Sequence, residues 1–290
     1  MVVLSIIILN YKTPRLTLRL LESLFKHYEK ELEEKKFEII TADNASGDDS
    51  VNLIKESKYY KNIKFVENEK NFGFGVGNNK AAQKAKGDLL VFINSDTVAQ
   101  DKGFLKMIEF MKENKDVAVL GGRLIDDKGQ DRAPAGKFYT IPYLIVTLFF
   151  SRVVQGLRFI PNKTKSVDWV SGAYMMVRNK VFDEIKGFDE NIFMYLEDME
   201  ICYRIKKLGY RVVFFSDSSL YHLEQGSSNR SFAIINIYKG ILYFYKKHKS
   251  PFSYYLVKLL LIFKAGLLVL IGKMLNNKYL TDTYSKALKV

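Results

Sequence analysis

Short apolar runs alternate with segments of helical periodicity over the first part of the chain. The opening run, Val2–Leu9, is rich in β-branched residues, as expected of a strand that is buried on both faces. Thr13-Pro14 follows it, with Thr suited to an N-cap and Pro to a first helical position. Further apolar runs lie at Phe37–Thr41, Ile63–Val66, Leu89–Ile93 and Val117–Leu120. This alternation predicts an α/β fold in which a mostly parallel central sheet carries helices on both faces.

An apolar run at an N-terminus can also be a secretory signal peptide, but Val2–Leu9 lacks that pattern. No basic segment precedes the run, the run is short, and no small-residue cleavage site follows it. The chain has a single cysteine, Cys202, so no intramolecular disulfide can form. Both features are compatible with a reducing cytoplasm, where disulfides are rare.

The charge of the chain limits its partners. With 290 residues, 48% hydrophobic and 27% charged, the composition is that of a globular protein with one large α/β domain, with or without a short appendage. The formal charge of +13 favours an anionic partner, namely nucleic acid, an anionic membrane surface or a phosphate-bearing substrate. Because the chain contains no recognised nucleic-acid-binding motif, we expect no nucleic-acid partner.

Polar residues follow several of the predicted strands, at Asn10-Tyr11, Asp43-Asn44 and Asn94-Ser95-Asp96. Ligands of α/β sheets bind beyond the carboxyl ends of the strands, so these residues are the candidate site. Asp96 can hold a divalent cation, because Mg²⁺ takes one or two protein carboxylates and completes its shell with phosphate and water. The alternative for Asn94-Ser95-Asp96 is an Asx-type turn.

Two loops are further candidates for ligand contact. Asp43–Ser50 offers side chains that can bind a base or a ribose, whereas Asp48 or Asp49 can also favour the start of the next helix. Asn71–Asn79 has glycines at alternate positions, which let backbone approach a ligand closely. It precedes a helix predicted over Gly77–Lys86, whose N-terminus favours phosphate.

An acidic segment begins a helix predicted over Asp198–Leu208. Apolar residues at helical spacing share one face, which leaves Asp198 near the rim, where a carboxylate can accept a proton from a hydroxyl nucleophile. The alternative is an acidic first turn that favours the helix dipole, with Glu200 and Arg204 as an i,i+4 ion pair.

His222 follows a strand predicted over Arg211–Phe215 after a short loop. A lone histidine is more often a hydrogen-bonded structural residue than a ligand. Near Asp96 in space, however, His222 can complete a metal site.

The chain beyond residue 230 has a helical pattern, so we predict an α/β domain over 1–230 and a helical segment over 231–290. Tyr254–Met274 is strongly apolar, with Lys264 near its middle. A membrane span needs about 20 predominantly apolar residues with few charges, so an interfacial helix with snorkelling lysines fits better, and a core helix is the alternative. Ile141–Phe150, with Arg152 and Arg158 after it, is a second candidate membrane-facing element.

Taken in chain order, these motifs resemble the family 2 glycosyltransferases, which have the GT-A fold, and within them the bacterial rhamnosyltransferase-like branch. Each motif is weak alone, and their order is specific. The matching stretches are Ser5–Lys12, Asp43–Ser46, Asn71–Asn79, Asn94–Asp96, Trp169–Val177, Gly187–Arg204 with Gly209-Tyr210, and His222–Ser228.

The resemblance implies a role for each matching residue. Asp43 is similar to the residue that binds the pyrimidine base of the donor. Asp96 is similar to the last residue of the family's Asp-x-Asp motif, which holds Mg²⁺ or Mn²⁺ on the diphosphate. That motif is Asn94-Ser95-Asp96 here, with a single carboxylate. Asp198 looks like the catalytic base, and His222 is similar to a histidine that contacts metal or diphosphate in some relatives.

Other matching positions imply contacts with donor or acceptor. Trp169 and Gly172 look like part of the sugar-binding wall, and Glu197 and Arg204 lie on the acceptor side. The remaining donor-binding residues that the resemblance implies are Asn10, Tyr11, Asn44, Asn71, Gly73, Asn78, Asn94 and Ser95.

The reaction that the resemblance implies is an inverting, metal-dependent sugar transfer. The donor is a nucleotide-diphosphate sugar, dTDP-rhamnose or another dTDP- or UDP-sugar, and the acceptor is a lipid-linked saccharide or polysaccharide of the cell surface. Such an enzyme is expected in the cytoplasm, peripheral on the inner face of the membrane, with anionic lipid as a partner. The alternative from another class is a non-catalytic subunit that binds nucleotide sugars.

Overall fold

The computed structural model describes residues 1–150, 158–223 and 229–290. Contacts divide the chain into two compact units. The first comprises residues 1–137, 158–190 and the described part of 198–227, and the second comprises the described parts of 138–157, 191–197 and 228–290. Arg152, and residues 224–228 of the matching stretch that begins at His222, lie outside the described residues.

The secondary-structure elements are numbered here in chain order. The strands are β1 (Leu4–Asn10), β2 (Phe37–Asp43), β3 (Lys64–Glu67), β4 (Leu89–Asn94), β5 (Thr97–Ala99), β6 (Val117–Ile125), β7 (Asp131–Arg132), β8 (Ala135–Gly136), β9 (Arg158–Phe159), β10 (Lys165–Val167), β11 (Trp169–Val170), β12 (Tyr174–Arg178) and β13 (Arg211–His222). The helices are α1 (Pro14–Glu33), α2 (Ser50–Glu56), α3 (Gly73–Ala82), α4 (Gly103–Glu113), α5 (Ile141–Phe150), α6 (Asn179–Glu184), α7 (Glu197–Lys207), α8 (Arg230–His248), α9 (Pro251–Met274) and α10 (Lys278–Ala287).

The strands form a ten-stranded sheet and a small three-stranded sheet, β11-β8-β9. The large sheet has the order β10-β13-β6-β12-β4-β1-β2-β3, with β5 on β13 and β7 on β6. β3, β2, β1 and β4 run parallel, whereas β12 enters between β4 and β6 antiparallel to both. The predicted α/β fold is confirmed, with a sheet whose parallel part contains β1, β2 and β4.

Helices cover both faces of the sheet in the first unit. Ile6 of β1 is fully buried in a cluster with Leu24 of α1 and Phe104 of α4. Side chains alternate between the faces along a strand. Phe92 of β4 accordingly packs on the other face against Phe182 of α6, with ring centroids 5.2 Å apart. The strands that carry the site are thus fixed on both sides.

The glycines of Asn71–Asn79 do not form the predicted loop. The helix that the sequence placed over Gly77–Lys86 is α3, which begins at Gly73, so the glycines lie in its first turns. A Cβ at Gly75 would approach Phe188 Cβ to 3.0 Å, and a Cβ at Gly77 would come within 2.8 Å of the Leu9 side chain. These glycines allow α3 to pack closely, and a ligand contact by their backbone stays a prediction.

Two other boundaries differ from the sequence prediction. The strand predicted over Arg211–Phe215 continues to His222 as β13, so no loop separates the histidine from the strand. Thr13 makes no side-chain cap for α1, because its hydroxyl donates to Asn10 Oδ1 (3.2 Å), while Pro14 begins the helix as predicted.

The second unit is built from α5, α8, α9 and α10. By length and composition alone, α9 is the one helix among the described residues that could cross a membrane, a test that core helices also pass. One side of α9 is buried at Val257, Leu261 and Ala265. Lys264 is half-buried, and burial lowers its pKa. The exposed apolar residues of α9 are Phe252, Tyr255, Leu259, Ile262, Phe263, Leu267, Leu270 and Met274.

Candidate active site

The register of three parallel strands brings polar side chains together at their carboxyl ends. Asn10, the last residue of β1, pairs with Asp43, the last residue of β2. On the other side of β1, Leu9 pairs with Asn94, the last residue of β4. The strand ends named by the sequence therefore lie side by side, where α/β sheets bind ligands.

Asp43 is 2% exposed and its carboxylate is held by hydrogen bonds. Oδ1 accepts from Asn10 Nδ2 at 2.7 Å and from the Ser46 hydroxyl at 2.6 Å, and Oδ2 accepts from the Ser46 N–H at 3.0 Å. Ser46 Oγ also accepts from the N–H of Lys12, whose φ of 58° is left-handed. This network joins the loops after β1 and β2 and fixes their shape.

Asn44 connects the end of β2 to α3. Its Nδ2 donates to Asn71 Oδ1 (2.9 Å) and to the Gly73 carbonyl (3.0 Å). Its Oδ1 accepts from Asn68 Nδ2 (3.1 Å) and from the Phe72 N–H (3.3 Å). The amide of Asn44 is thus engaged within the protein at both its nitrogen and its oxygen, and a donor contact by Asn44 stays a prediction.

The other predicted donor-binding residues occupy different surroundings. Asn78 is buried, and its Nδ2 donates to the Phe74 carbonyl one turn earlier in α3. Tyr11 is half-buried, and the Ser95 hydroxyl is 2.9 Å from that of Thr13. Tyr11 and Ser95 stay predicted donor contacts, whereas the Asn78 amide is directed into the helix.

The two predicted metal ligands, Asp96 and His222, lie in contact. β5 pairs with the end of β13 so that His222 lies opposite Thr97. His222 Nε2 is 3.3 Å from Asp96 Oδ1 and 3.5 Å from Asn94 Nδ2. The Leu223 N–H donates to the Asp96 carbonyl at 2.9 Å, which fixes the chain on both sides of the pair.

This donor set fits a cation that is shared with a diphosphate. One carboxylate and one imidazole are suitable ligands for a divalent metal, and Mg²⁺ commonly fills its other positions with phosphate oxygens and water. Within the described ranges, no group of three or more His, Cys, Asp or Glu side chains could hold a metal. Asp96 and His222 would therefore hold the cation together with a phosphate-bearing ligand.

Asp198 lies at the start of α7 and is 7% exposed. Its Oδ1 accepts from the Met199 N–H at 2.8 Å, and its Oδ2 accepts from the Gly172 N–H at 3.4 Å. A Cβ at Gly172 would lie 3.0 Å from the Phe74 ring, so glycine lets the backbone at residue 172 lie close to that ring. Burial raises the pKa of Asp198, and the positive charge of Arg158 partly opposes that rise. A carboxyl with a raised pKa is better matched to proton transfer near neutral pH.

Arg158 contacts this carboxylate, although the sequence suggested a membrane-facing position for it. Its Nη2 is 3.8 Å from Asp198 Oδ2, and its guanidinium lies 5.1 Å from the centroid of the Trp169 ring. In the small sheet, Arg158 pairs with Gly136, which pairs with Trp169. Because Gly136 has no side chain, Arg158 can reach across it. The pairing joins very short strands far apart in sequence, so no local motif indicates it.

Trp169, a predicted part of the sugar-binding wall, is 2% exposed. Its indole Nε1 donates to the Lys137 carbonyl at 3.0 Å, which fixes the ring. The fixed ring supports the Arg158 guanidinium, and a direct contact of Trp169 with sugar stays a prediction.

Of the residues predicted on the acceptor side, Glu197 is buried directly before Asp198. Arg204 donates through Nε to Glu200, and through its terminal nitrogens to the carbonyls of Ile185 and Gly187. All three guanidinium nitrogens are thus engaged. The i,i+4 pair is present and Arg204 anchors the turn before Phe188, while a contact of Arg204 with an acceptor stays a prediction.

Comparisons with known proteins identify relatives of the chain. Residues 5–186 match the sequence model of the family described as Glycosyl transferase family 2. Rhamnosyltransferase WbbL of Escherichia coli (strain K12) is 27% identical over 218 residues, which cover 69% of this chain and 77% of that protein. The N-acetylglucosaminyl-diphospho-decaprenol L-rhamnosyltransferase of Mycobacterium tuberculosis (strain ATCC 25618 / H37Rv) is 22% identical over 217 residues, 68% of this chain and 70% of that protein.

Solved structures share the fold. GalNAc-T7 with UDP, GalNAc and Mn²⁺ has a TM-score of 0.59 and 18% identity, and the match covers 84% of this chain and 50% of that chain. The mannosyltransferase PcManGT from Pyrobaculum calidifontis, in complex with GDP-Man and Mn²⁺, has a TM-score of 0.59 and 15% identity. The match covers 99% of this chain and 74% of that chain. These likenesses show the GT-A fold, and the family match spans more than half of the sequence. The chain belongs to glycosyltransferase family 2, in its rhamnosyltransferase-like branch.

Proposed function

We propose that the chain is an inverting rhamnosyltransferase that transfers rhamnose from dTDP-rhamnose to a lipid-linked saccharide in cell-surface glycan synthesis. Residues 1–230 would form its catalytic domain. The names of the relatives support the sugar, and the mycobacterial relative's name includes a diphospho-decaprenol acceptor. The observation that carries the proposal is Asp198, a buried carboxylate held by two backbone N–H groups in the unit that also holds the Asp96–His222 pair.

Asp198 acts as the general base in this proposal. It accepts the proton of the acceptor hydroxyl while that oxygen attacks the anomeric carbon on the face opposite the leaving diphosphate. A single displacement of this kind inverts the configuration at that carbon. The N–H groups of Gly172 and Met199 hold the carboxylate in position, and the nearby Arg158 favours its ionised form.

Asp96 and His222 would hold Mg²⁺ or Mn²⁺ on the donor diphosphate. When bound, the cation supplies neutralisation of the charge that develops on the leaving group. The 3.3 Å separation of the two side chains supports this assignment, as does the Mn²⁺ in both solved structures with the same fold. Asp43, with Asn10 and Ser46, would shape the loop that receives the nucleoside.

A peripheral position on the cytoplasmic face of the membrane completes the proposal. The exposed side of α9 is aromatic and aliphatic, with Tyr255, Leu259 and Phe263 each more than 60% exposed. The charge of +13 favours anionic lipid, and aromatic rings prefer the membrane interface. A lipid-linked acceptor would then meet the enzyme at the surface from which its head group projects.

A transfer assay with a donor panel tests the proposal. Purified protein would receive dTDP-rhamnose, other dTDP- and UDP-sugars, or GDP-mannose, with Mn²⁺ and a lipid-diphosphate-linked saccharide acceptor. We expect transfer from dTDP-rhamnose, with the opposite anomeric configuration in the product by NMR. Retention of configuration, or binding of donors without transfer or hydrolysis under every condition, would refute an inverting enzyme.

A further inference from the structure

A cavity of about 590 Å³ lies in the second unit, between residues 191–194 and one face of α8. Small-molecule sites typically have volumes of roughly 300–1,000 Å³ and mainly apolar walls. Ile192 and Met194 line one side of this cavity, and Phe232 and Ile235 line the other. The lining residues of α8 recur at helical spacing, so a whole face of the helix is turned to the cavity.

The polar side chains that line the cavity are Asn191, Asn236, Lys239 and Tyr243, and of these only Lys239 is charged. Lys239 is exposed at its wall and has no ion pair with any residue in the described ranges. The Tyr243 hydroxyl accepts from Asn191 Nδ2 at 3.1 Å, which ties the 191–194 segment to α8. Apolar walls with one lysine suit a molecule that has a long apolar part and an anionic group at one end.

A strained turn connects this cavity to the chain of Asp198. Tyr195 and Leu196 both have left-handed φ values, 68° and 72°, which are unfavourable for residues with a side chain. A Cβ on Gly240 of α8 would lie 3.1 Å from the Tyr195 carbonyl oxygen and 3.2 Å from Leu196 Cβ. Glycine at this position therefore lets the helix backbone lie close to the turn. Strain of this kind persists where the surroundings enforce it, commonly beside functional sites.

We propose that this cavity binds the isoprenoid chain of a lipid-diphosphate-linked acceptor, with Lys239 contacting the adjoining phosphate. The inference rests on the proposed function, because it takes the acceptor to be lipid-linked. Met194 is four residues before Asp198, so a lipid held here lies against the same short segment that leads into the base. The apolar walls receive the isoprenoid chain, and the Lys239 ammonium receives the charge of the phosphate.

Photolabelling of the full chain in solution tests the site without requiring activity. The probe is a farnesyl diphosphate analogue that carries a diazirine, and labelled peptides are located by mass spectrometry. We expect labels within residues 191–194 and 232–243, and we expect farnesyl diphosphate to block them better than inorganic pyrophosphate or farnesol. Equal protection by pyrophosphate would mean an anion site without an isoprenoid, and labels mainly on α9 would mean non-specific adsorption, so either result overturns the proposal.

Matched variants on α8 sharpen the test. Ile235→Gln places a polar group in the apolar wall and should weaken labelling by about tenfold. Ile237→Gln makes the same change at a half-buried position of α8 outside the cavity lining and should leave labelling unchanged. Lys239→Gln should weaken labelling by the diphosphate probe but not the competition by farnesol. Lys246→Gln is its control and should leave both unchanged. Equal effects of Ile235→Gln and Ile237→Gln would contradict the site.

The kinetic readout separates this inference from the proposed function. Ile235→Gln should raise the KM for a prenyl-diphosphate-linked acceptor while the rate of donor hydrolysis stays that of the unaltered protein. If the unaltered protein neither transfers nor hydrolyses any donor, yet the labels lie in the cavity, the proposed function fails and the binding site stands. An unchanged acceptor KM in an active Ile235→Gln enzyme overturns the site alone.

Discussion

Asp198 is surrounded by groups that affect its charge in opposite directions. Burial raises its pKa, and the guanidinium of Arg158 lowers it. Cys202, one turn further along α7, is fully buried, and burial raises the pKa of its thiol, so it stays neutral. The charge of Arg158 acts on the base, and its guanidinium stacks over the Trp169 ring.

Replacing Arg158 should change the pH dependence of the reaction. The base works only when ionised, so kcat/KM falls as the pH drops through the pKa of Asp198. Arg158→Gln removes the charge that lowers this pKa, so the acid limb should move to higher pH. The Arg158 side chain is 51% exposed, and solvent screens its charge, so the shift should be modest.

Two variants control this prediction. Arg158→Lys keeps the charge and should restore most of the acid limb. Arg211→Gln removes an arginine that pairs with Asp116 away from the base and should leave the limb in place. A rate that is equally low at every pH in Arg158→Gln would mean that Arg158 only supports the fold.

Asp96→Ala should weaken metal and donor binding together. The change removes the single carboxylate of the Asp96–His222 pair. Mutation of a residue that only supports a metal ligand commonly lowers metal affinity by about 10–100-fold, so loss of the ligand itself should lower it by at least about tenfold. Calorimetry with Mn²⁺ and a dTDP-sugar measures both affinities. Asp126→Ala, at the β6–β7 turn, is a control carboxylate. Unchanged activity of the unaltered protein in excess chelator would contradict the metal assignment.

Residue types at strand ends predicted much of this site, because the register of a parallel sheet brings strand ends together. Asp43 and Asp96 were placed in this way, whereas the sequence placed His222 after a loop that follows its strand. Arg158 was missed because its position depends on pairing between strands that are only two residues long. The orientation of Asn78 was not foreseen, because a sequence does not show that its Nδ2 donates back to the Phe74 carbonyl of α3.

At the scale of elements, α3 shows why a glycine-rich segment was misread. Alternate glycines are typical of ligand loops, yet here they let a helix approach β1 and the Phe188 side chain. Periodicity located α1 and α7 closely because their apolar spacing reports directly on burial. The closeness of a helix to its neighbours is a tertiary property, and spacing alone does not report it.

Gly77→Ala should destabilise the protein by about 1–3 kcal/mol, because the new methyl group would overlap the Leu9 side chain. Urea unfolding measures the change. Gly266→Ala is the matched control, since no atom lies within 4 Å of its added Cβ and alanine favours a helix interior by up to about 1 kcal/mol. If the two substitutions have the same effect, close packing is not the reason for Gly77.

On the scale of the whole molecule, the chain builds its second unit from stretches that are distant in sequence. Residues 138–150 and 191–197 join the C-terminal helices in it. The sequence indicated the helical C-terminus through its apolar spacing, but long-range contacts of the 191–197 segment leave no periodic pattern. The cavity beside α8 therefore had no counterpart in the sequence prediction.

The full chain should bind liposomes that contain anionic lipid, and salt should weaken this binding. Each basic residue near such a surface contributes roughly 1 kcal/mol, and salt screens that attraction. Replacing Leu259 and Phe263 of α9 by Gln should reduce co-sedimentation, whereas Leu208→Gln, a similarly exposed residue of the first unit, should not. Binding that ignores both lipid charge and the α9 substitutions would contradict an interfacial helix.

The most direct measurement of the central claim is single-turnover transfer by Asp198→Asn beside the unaltered protein. Asparagine keeps the shape of the side chain but cannot accept the proton. The transfer rate should fall by about 10²–10⁴-fold, while the donor dissociation constant from calorimetry stays the same. Near-normal turnover in a folded Asp198→Asn protein would contradict the assignment of Asp198 as the base.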